Sequence, residues 1–134
     1  MKISTQIKVR SYECDSYGHV NNAVYVNYLE VGRMEFLHGI GFDYNGIIDA
    51  GYFLFVSHID IRYKASAHLD DILTIEAENV EMGAVSGKFQ QCIKKEDGTV
   101  CAEAEVTWAC VTKDGRPSRI PKDFIVPGLL PEKK

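Results

Sequence analysis

Residues 15–25 read DSYGHVNNAVY. An acid (Asp15), an imidazole (His19) and two carboxamides (Asn21 and Asn22) stand just before a stretch of helical character. A helix start has unpaired N–H groups and a partial positive charge, so it can hold a developing oxyanion. A carboxylate beside it can attack a carbonyl or deprotonate a water. These are the two parts that cleavage of an activated acyl group requires. Each residue also has a plainer reading. Asp15 can act as a loop carboxylate that caps the helix, and Asn21 or Asn22 is a suitable N-cap. His19 can polarise water, contact a ligand or hold the loop.

Such residues work only if a fold positions them. Residues 3–13 alternate, with Ile3, Thr5, Ile7 and Val9 on one side, and predict a half-buried strand. From about Ala23 to Leu37 the period changes: Tyr25, Tyr28, Leu29, Gly32, Phe36 and Leu37 fall at helical spacing. Val24, Val31 and Met34 widen the apolar surface, which predicts a helix wrapped on several sides. Gly39 and Gly41 are its stop signals, and residues 42–51 predict a short helical turn and a loop.

Strand patterns follow. FLFVSHIDIRYK puts Phe53, Phe55, Ile59, Ile61 and Tyr63 on one face and His58, Asp60, Arg62 and Lys64 on the other. Residues 71–82 and 85–95 predict two more strands with a tight turn near Gly83, and Asp97-Gly98 signals a hairpin. Residues 99–112 predict the last strand, with Val100, Ala102, Ala104, Val106 and Trp108 sharing a face, and a short helical turn is expected at 121–125. A sheet with one apolar face needs a cover, and one long helix is available. The layout predicts one α+β domain over residues 1–134, a curved antiparallel five-stranded sheet around a central helix, with a polar, frayed tail from about residue 127.

Composition narrows the partners. The formal net charge is −4, which argues against a nucleic-acid binder. The N-terminus has no apolar run, and no stretch approaches the roughly 20 apolar residues of a membrane span, so the cytoplasm is the expected location. The spacings of Cys14, Cys92, Cys101 and Cys110 match no zinc pattern, and three fall in strands. Reduced structural thiols are expected and no metal, with Cys14 adjoining the candidate site.

The element order from about residue 3 to 125, with D-S-Y-G-H-V-N-N at 15–22 and Tyr25, Tyr28, Glu30 and Arg33 on the helix after it, resembles the hot-dog acyl-CoA thioesterases of the 4-hydroxybenzoyl-CoA thioesterase-like group. The resemblance implies a catalytic carboxylate at Asp15. It implies that the Asn22 backbone N–H polarises the thioester carbonyl, and that Gly18 lets the loop pass close to the substrate. It also implies a homodimer with sites at the subunit interface, often paired into a homotetramer. The substrate implied is an acyl-CoA or an acyl-carrier-protein thioester. No cofactor is implied, because coenzyme A enters as part of the substrate.

Other residues keep two readings. A related hot-dog subgroup uses a helical glutamate, which makes Glu30 the alternative carboxylate; with Arg33 it also has the spacing of a helical ion pair. Asn21 is either a cap or a substrate contact, and Tyr25, Tyr28 and Phe36 belong to the core or to an acyl pocket. Phe53, Phe55 and Trp108 can line that pocket. Arg62, Lys64 and Lys88 are candidate contacts for the phosphates of coenzyme A, or else a solvated strand face. Competing activities remain. A hot-dog hydratase would pair Asp15 with His19, but the hydratase resemblance runs D-x-N-P-x-H, which this chain lacks. A non-catalytic acyl-CoA sensor usually lacks the carboxylate and carries a DNA-binding segment. A purely structural β-protein leaves the Gly- and Asn-rich loop unexplained.

Overall fold

The computed structural model describes residues 1–132; Lys133 and Lys134, the end of the expected tail, lie outside the described residues. Strand β1 (Lys2–Lys8) is followed by the long helix α1 (Asn22–Gly39) and a short helix α2 (Tyr44–Asp49). Strands β2 (Tyr52–Tyr63), β3 (Ile72–Met82), β4 (Ser86–Lys95) and β5 (Val100–Thr112) complete the elements. The five strands form one antiparallel sheet in the order β1-β3-β4-β5-β2, so β1 and β2 are its edges. With the single long helix on one face, this is the hot-dog architecture.

The buried residues of α1 are Tyr25, Tyr28, Leu29, Gly32, Phe36 and Leu37, the six read from helical spacing. Leu29 and Phe36 are fully buried. Each contributes about 1.5–3 kcal/mol by leaving water, against about 1 kcal/mol for an N-cap. Burial therefore sets where the helix lies, and capping only where it starts. Phe36 meets Phe89 of β4 edge to face, with centroids 5.1 Å apart. Gly32 passes so close to β3 that a Cβ there would stand 2.5 Å from the Cγ2 of Ile75. The helix is wrapped in part, with Val24 and Met34 half-buried against the core. It packs over β1, β3 and β4, while Val31 stays 40% exposed.

Three other expectations are corrected. First, β1 ends at Lys8, because the Arg10 N–H is taken by the Glu13 carboxylate (2.8 Å) and residues 11–13 turn into a 3-10 helix. Second, β2 does not keep one parity. Val56 opposes Trp108 and His58 opposes Thr107, so Ser57 is an extra residue in a bulge. Leu54, Val56, Ile59, Ile61 and Tyr63 therefore face the helix, opposite Cys110, Trp108, Val106, Ala104 and Ala102. Phe53 and Phe55, opposite Val111 and Ala109, fall on the outer face with Asp60 and Arg62. Third, residues 127–129 are held rather than frayed. Pro127–Leu129 form a 3-10 turn with Leu129 buried. The Leu129 carbonyl accepts from Asn79 Nδ2 (2.7 Å), while Asn79 Oδ1 accepts from Trp108 Nε1 (3.0 Å).

A second buried amide, Gln91, donates to the Leu29 carbonyl (3.0 Å) and accepts from Arg33 Nη1 (3.1 Å). Arg33 is thus held by β4, where the spacing also allowed a pair with Glu30; burial lowers its guanidinium pKa. The four cysteines are free, and burial pushes the thiols of Cys92, Cys101 and Cys110 up. Among the described residues no helix is long and apolar enough to cross a membrane.

Candidate active site

The loop before α1 is tightly specified. A turn runs from Asp15 to Gly18, whose N–H donates to the Asp15 carbonyl (3.1 Å). Gly18 has φ +85°, a left-handed conformation that suits glycine and strains other residues. The loop is pinned on both sides: Val20 N–H donates to Ala67 O (2.9 Å) and Asn21 N–H to Glu13 O (3.0 Å). Asn21 is the N-cap, its Oδ1 accepting from the Ala23 N–H (2.9 Å). Asn22 is then the first helical residue, and its own N–H has no acceptor among the described residues.

A cleft of about 340 Å³ opens at this helix start, lined by Asp15, His19, Val20, Asn22, Tyr25, Tyr63, Lys64, Ala65 and Ser66. Asp15 Oδ1 accepts from the Tyr17 N–H (2.9 Å), which fixes the carboxylate and leaves Oδ2 without a partner among the described residues. His19 Nδ1 stands 4.0 Å from Asp15 Oδ1, too far for a hydrogen bond. The His19 ring lies between Tyr17, stacked at 6.2 Å, and His68, edge-on at 6.1 Å.

Tyr25 is buried and its hydroxyl accepts from the Ala67 N–H (3.0 Å); burial raises its pKa, so it stays a neutral phenol. Tyr28 is likewise raised, first by burial and then by its bond to Glu13 (3.0 Å). Neither is poised to ionise near neutral pH.

The fold brings Asp15, His19, Asn22, Tyr25 and Lys64 to one cleft. Gly18 and Asn21 shape its backbone without lining it. Glu30 is elsewhere, about 12 Å along α1 from Asn22 at 1.5 Å per residue. It borders a smaller cavity of about 90 Å³ with Arg33, Met34, Leu54, Val56, Trp108 and others. Of the expected acyl-pocket residues, Trp108 lines that cavity, while Phe53 and Phe55 are turned to the outer face by the bulge. Arg62 lies in an outer-face hollow with Asp60, Glu103 and Glu105. Lys88 is paired with Glu105 (3.3 Å) and Glu81 (3.9 Å). Among the described residues Lys64 has one charged partner, Glu103 at 3.3 Å. Among the described residues no cluster of three or more His, Cys, Asp or Glu is placed to hold a metal ion.

Tyr63 has a place here that sequence reasoning missed. Its hydroxyl donates to the Asn22 carbonyl (2.9 Å) across 41 residues of chain, and no local pattern could signal a contact of that range.

The chain matches known proteins along most of its length. Residues 9–126 match the family model of the thioesterase-like superfamily. The chain is 36% identical over 110 residues to the long-chain acyl-CoA thioesterase FadM of Escherichia coli K12, covering 81% of this chain and 83% of FadM. It is 32% identical over 117 residues to the chloroplastic acyl-acyl carrier protein thioesterase ATL2 of Arabidopsis thaliana, covering 87% of this chain and 62% of ATL2. The crystal structure of YbaW, a probable thioesterase from Escherichia coli, superposes with a TM-score of 0.79 at 34% identity, over 90% of this chain and 92% of YbaW. The match spans loop, helix and sheet together, and the chain belongs to the thioesterase-like superfamily: it is a hot-dog thioesterase.

Proposed function

We propose that the cleft hydrolyses the thioester of an acyl group carried on coenzyme A or on an acyl carrier protein, with Asp15 as the catalytic carboxylate and the Asn22 N–H as oxyanion donor. The observation that carries this reading is one cleft, at a helix N-terminus, lined by both residues. The names of FadM and ATL2 cover the two carriers. In one route Asp15 Oδ2 attacks the thioester carbonyl. Charge builds on the carbonyl oxygen opposite the Asn22 N–H, and the carrier thiolate leaves. Water then cleaves the mixed anhydride, releasing the acid and restoring Asp15. In the other route Asp15 takes a proton from the water that attacks. Both use the same preorganised donor and helix dipole, and a thiolate leaves readily enough that a strong general acid is not required. The test is a panel of acyl-CoAs of varied chain length and aromaticity, with released thiol measured. Binding without thiol release would make the protein an acyl-CoA binder, and water addition to an enoyl substrate would make it a hydratase.

On this reading Lys64, the one lysine or arginine lining the cleft among the described residues, is the candidate contact for a phosphate of coenzyme A. Arg62 lies in the outer-face hollow and not in the cleft, and Lys88 is paired with two carboxylates. Such a contact is similar in ground and transition states, so its loss appears in KM. Lys64→Ala is expected to raise KM for an acyl-CoA by about 5- to 20-fold, the scale of one charged hydrogen bond. An acyl-pantetheine thioester, lacking the nucleotide phosphates, should hardly respond, and Lys88→Ala should leave both KM values near wild type. Equal KM values for Lys64→Ala and wild type with the full coenzyme would remove Lys64 from the site.

The reading includes a homo-oligomer, a dimer or tetramer. The cleft is small for a ligand the size of coenzyme A, and β2 is an edge strand bearing exposed Phe55, Val56 and Tyr63. Uncovered edges of this kind pair with other strands, and a second copy is the partner always present. Sedimentation at micromolar concentration is expected to show a dimer or larger species. A fully active monomer would contradict it.

A further inference from the structure

Tyr63, the last residue of β2, is 48% exposed. Its hydroxyl nonetheless donates to the Asn22 carbonyl at 2.9 Å, the one hydrogen bond between α1 and β2 among the described residues. Its ring meets Tyr25 edge-on at 5.4 Å and 70°. Tyr25 in turn holds the Ala67 N–H. Two tyrosines therefore clamp the chain leaving β2 against the first turn of α1. The clamp is needed because α1 packs mainly over β1, β3 and β4 and β2 lies at the far edge of the sheet from β1. The bulge at Ser57 makes it possible, since without that extra residue Tyr63 would point outward.

We propose that Tyr63 is a positioning residue for hydrolysis: its hydroxyl fixes Asn22, and through it the direction in which the Asn22 N–H meets the substrate carbonyl. The inference rests on the hydrolase reading of the cleft. The first-turn N–H groups of a helix have no intrahelical partner, so this is the part of α1 most free to tilt. Hydrogen bonds weaken steeply as their angle closes, and an oxyanion donor is effective only if aimed before the charge forms. A bond to the carbonyl of the donor residue itself restrains that tilt directly.

The test is Tyr63→Phe, which keeps the ring and removes the bond. Removing an oxyanion donor outright costs about 100- to 1,000-fold in kcat. Misaiming one is expected to cost less, about 5- to 20-fold, with KM within about 2-fold of wild type. A second readout does not depend on turnover. An acyl-CoA carrying ¹³C at its thioester carbonyl is bound to Asp15→Asn, and its C=O stretch is read by difference infrared spectroscopy. The stretch is expected below its solution value in Asp15→Asn and displaced back toward it in the Asp15→Asn/Tyr63→Phe double variant. An unchanged stretch together with unchanged kcat would overturn the proposal, as would the absence of any shift in Asp15→Asn, which would remove Asn22 as the donor. A carbonyl shift that depends on Tyr63, in a wild-type protein that releases no thiol, would uphold the positioning role and overturn the hydrolase reading instead.

Discussion

Asp15→Asn is expected to lower kcat for acyl-CoA hydrolysis by at least about 100-fold, the range for loss of acid–base or covalent chemistry. The substitution is nearly isosteric. The Tyr17 N–H can still donate to the amide oxygen as it does to Asp15 Oδ1, so the turn to Gly18 should survive. What is lost is the second oxygen, which can no longer attack or accept a proton. KM should move little, because the carboxylate acts on the reacting carbon and not on the carrier. Glu30→Gln serves as the contrast. Glu30 is exposed and borders the second cavity rather than the cleft, so near-normal turnover is expected. The reverse outcome, with Asp15→Asn active and Glu30→Gln dead, would move the catalytic carboxylate to the helix.

Gly32→Ala is expected to destabilise the fold, against the usual sign for such a change. Replacing glycine by alanine inside a helix ordinarily gains about 1 kcal/mol. Here the added Cβ would stand 2.5 Å from Ile75 Cγ2 and 3.0 Å from Gln91 Nε2. Ile75 is fully buried and cannot swing into solvent. Gln91 cannot give way cheaply either, because it carries the Leu29 carbonyl and Arg33. The helix must rise off the sheet, and overpacking of this kind costs about 1–3 kcal/mol. A drop in Tm of roughly 5–10 °C follows for a chain this size. Asn27→Ala on the exposed side of α1 is the control, and should leave Tm unchanged or slightly raised. An increase in Tm for Gly32→Ala would show that the helix–sheet spacing is not set by this contact. Since α1 also carries Asn22, a displaced helix should reduce turnover as well.

Much of this was legible in the chain itself. The six buried positions of α1 follow from the 3.6-residue period, because a helix facing a flat sheet must bury one stripe whatever the sheet is made of. The loop was legible because Asp15, Gly18 and Asn21 act within a few residues of one another. A turn, a left-handed glycine and an N-cap are local devices, and local devices leave local signatures. Four of the five β5 residues expected on one face read correctly for the same reason: Ala102, Ala104, Val106 and Trp108 alternate without interruption and are buried, whereas Val100 is set off that face by an extra residue at Cys101, opposite Ile93 and Lys94 of β4.

The rest depended on partners far away in the chain. Phe53 and Phe55 fit the apolar parity of β2 as well as Leu54 and Val56 do, and only the pairing with β5 places a bulge at Ser57 and turns the aromatics outward. That bulge decides which side chains line the second cavity and brings Tyr63 to the helix start. The tail reads as polar and loose until Asn79, itself bound to Trp108, takes the Leu129 carbonyl. Arg62, Lys64 and Lys88 look equivalent as cations, but the register of β4 and β5 sets carboxylates around them unequally. By itself, then, the sequence determined the carboxylate, the capped helix and the turn between them, because each is specified by residues close in the chain. The tertiary structure alone decided which strand face meets the helix and what restrains Asn22, because register and bulge are properties of a pair of strands and not of either one.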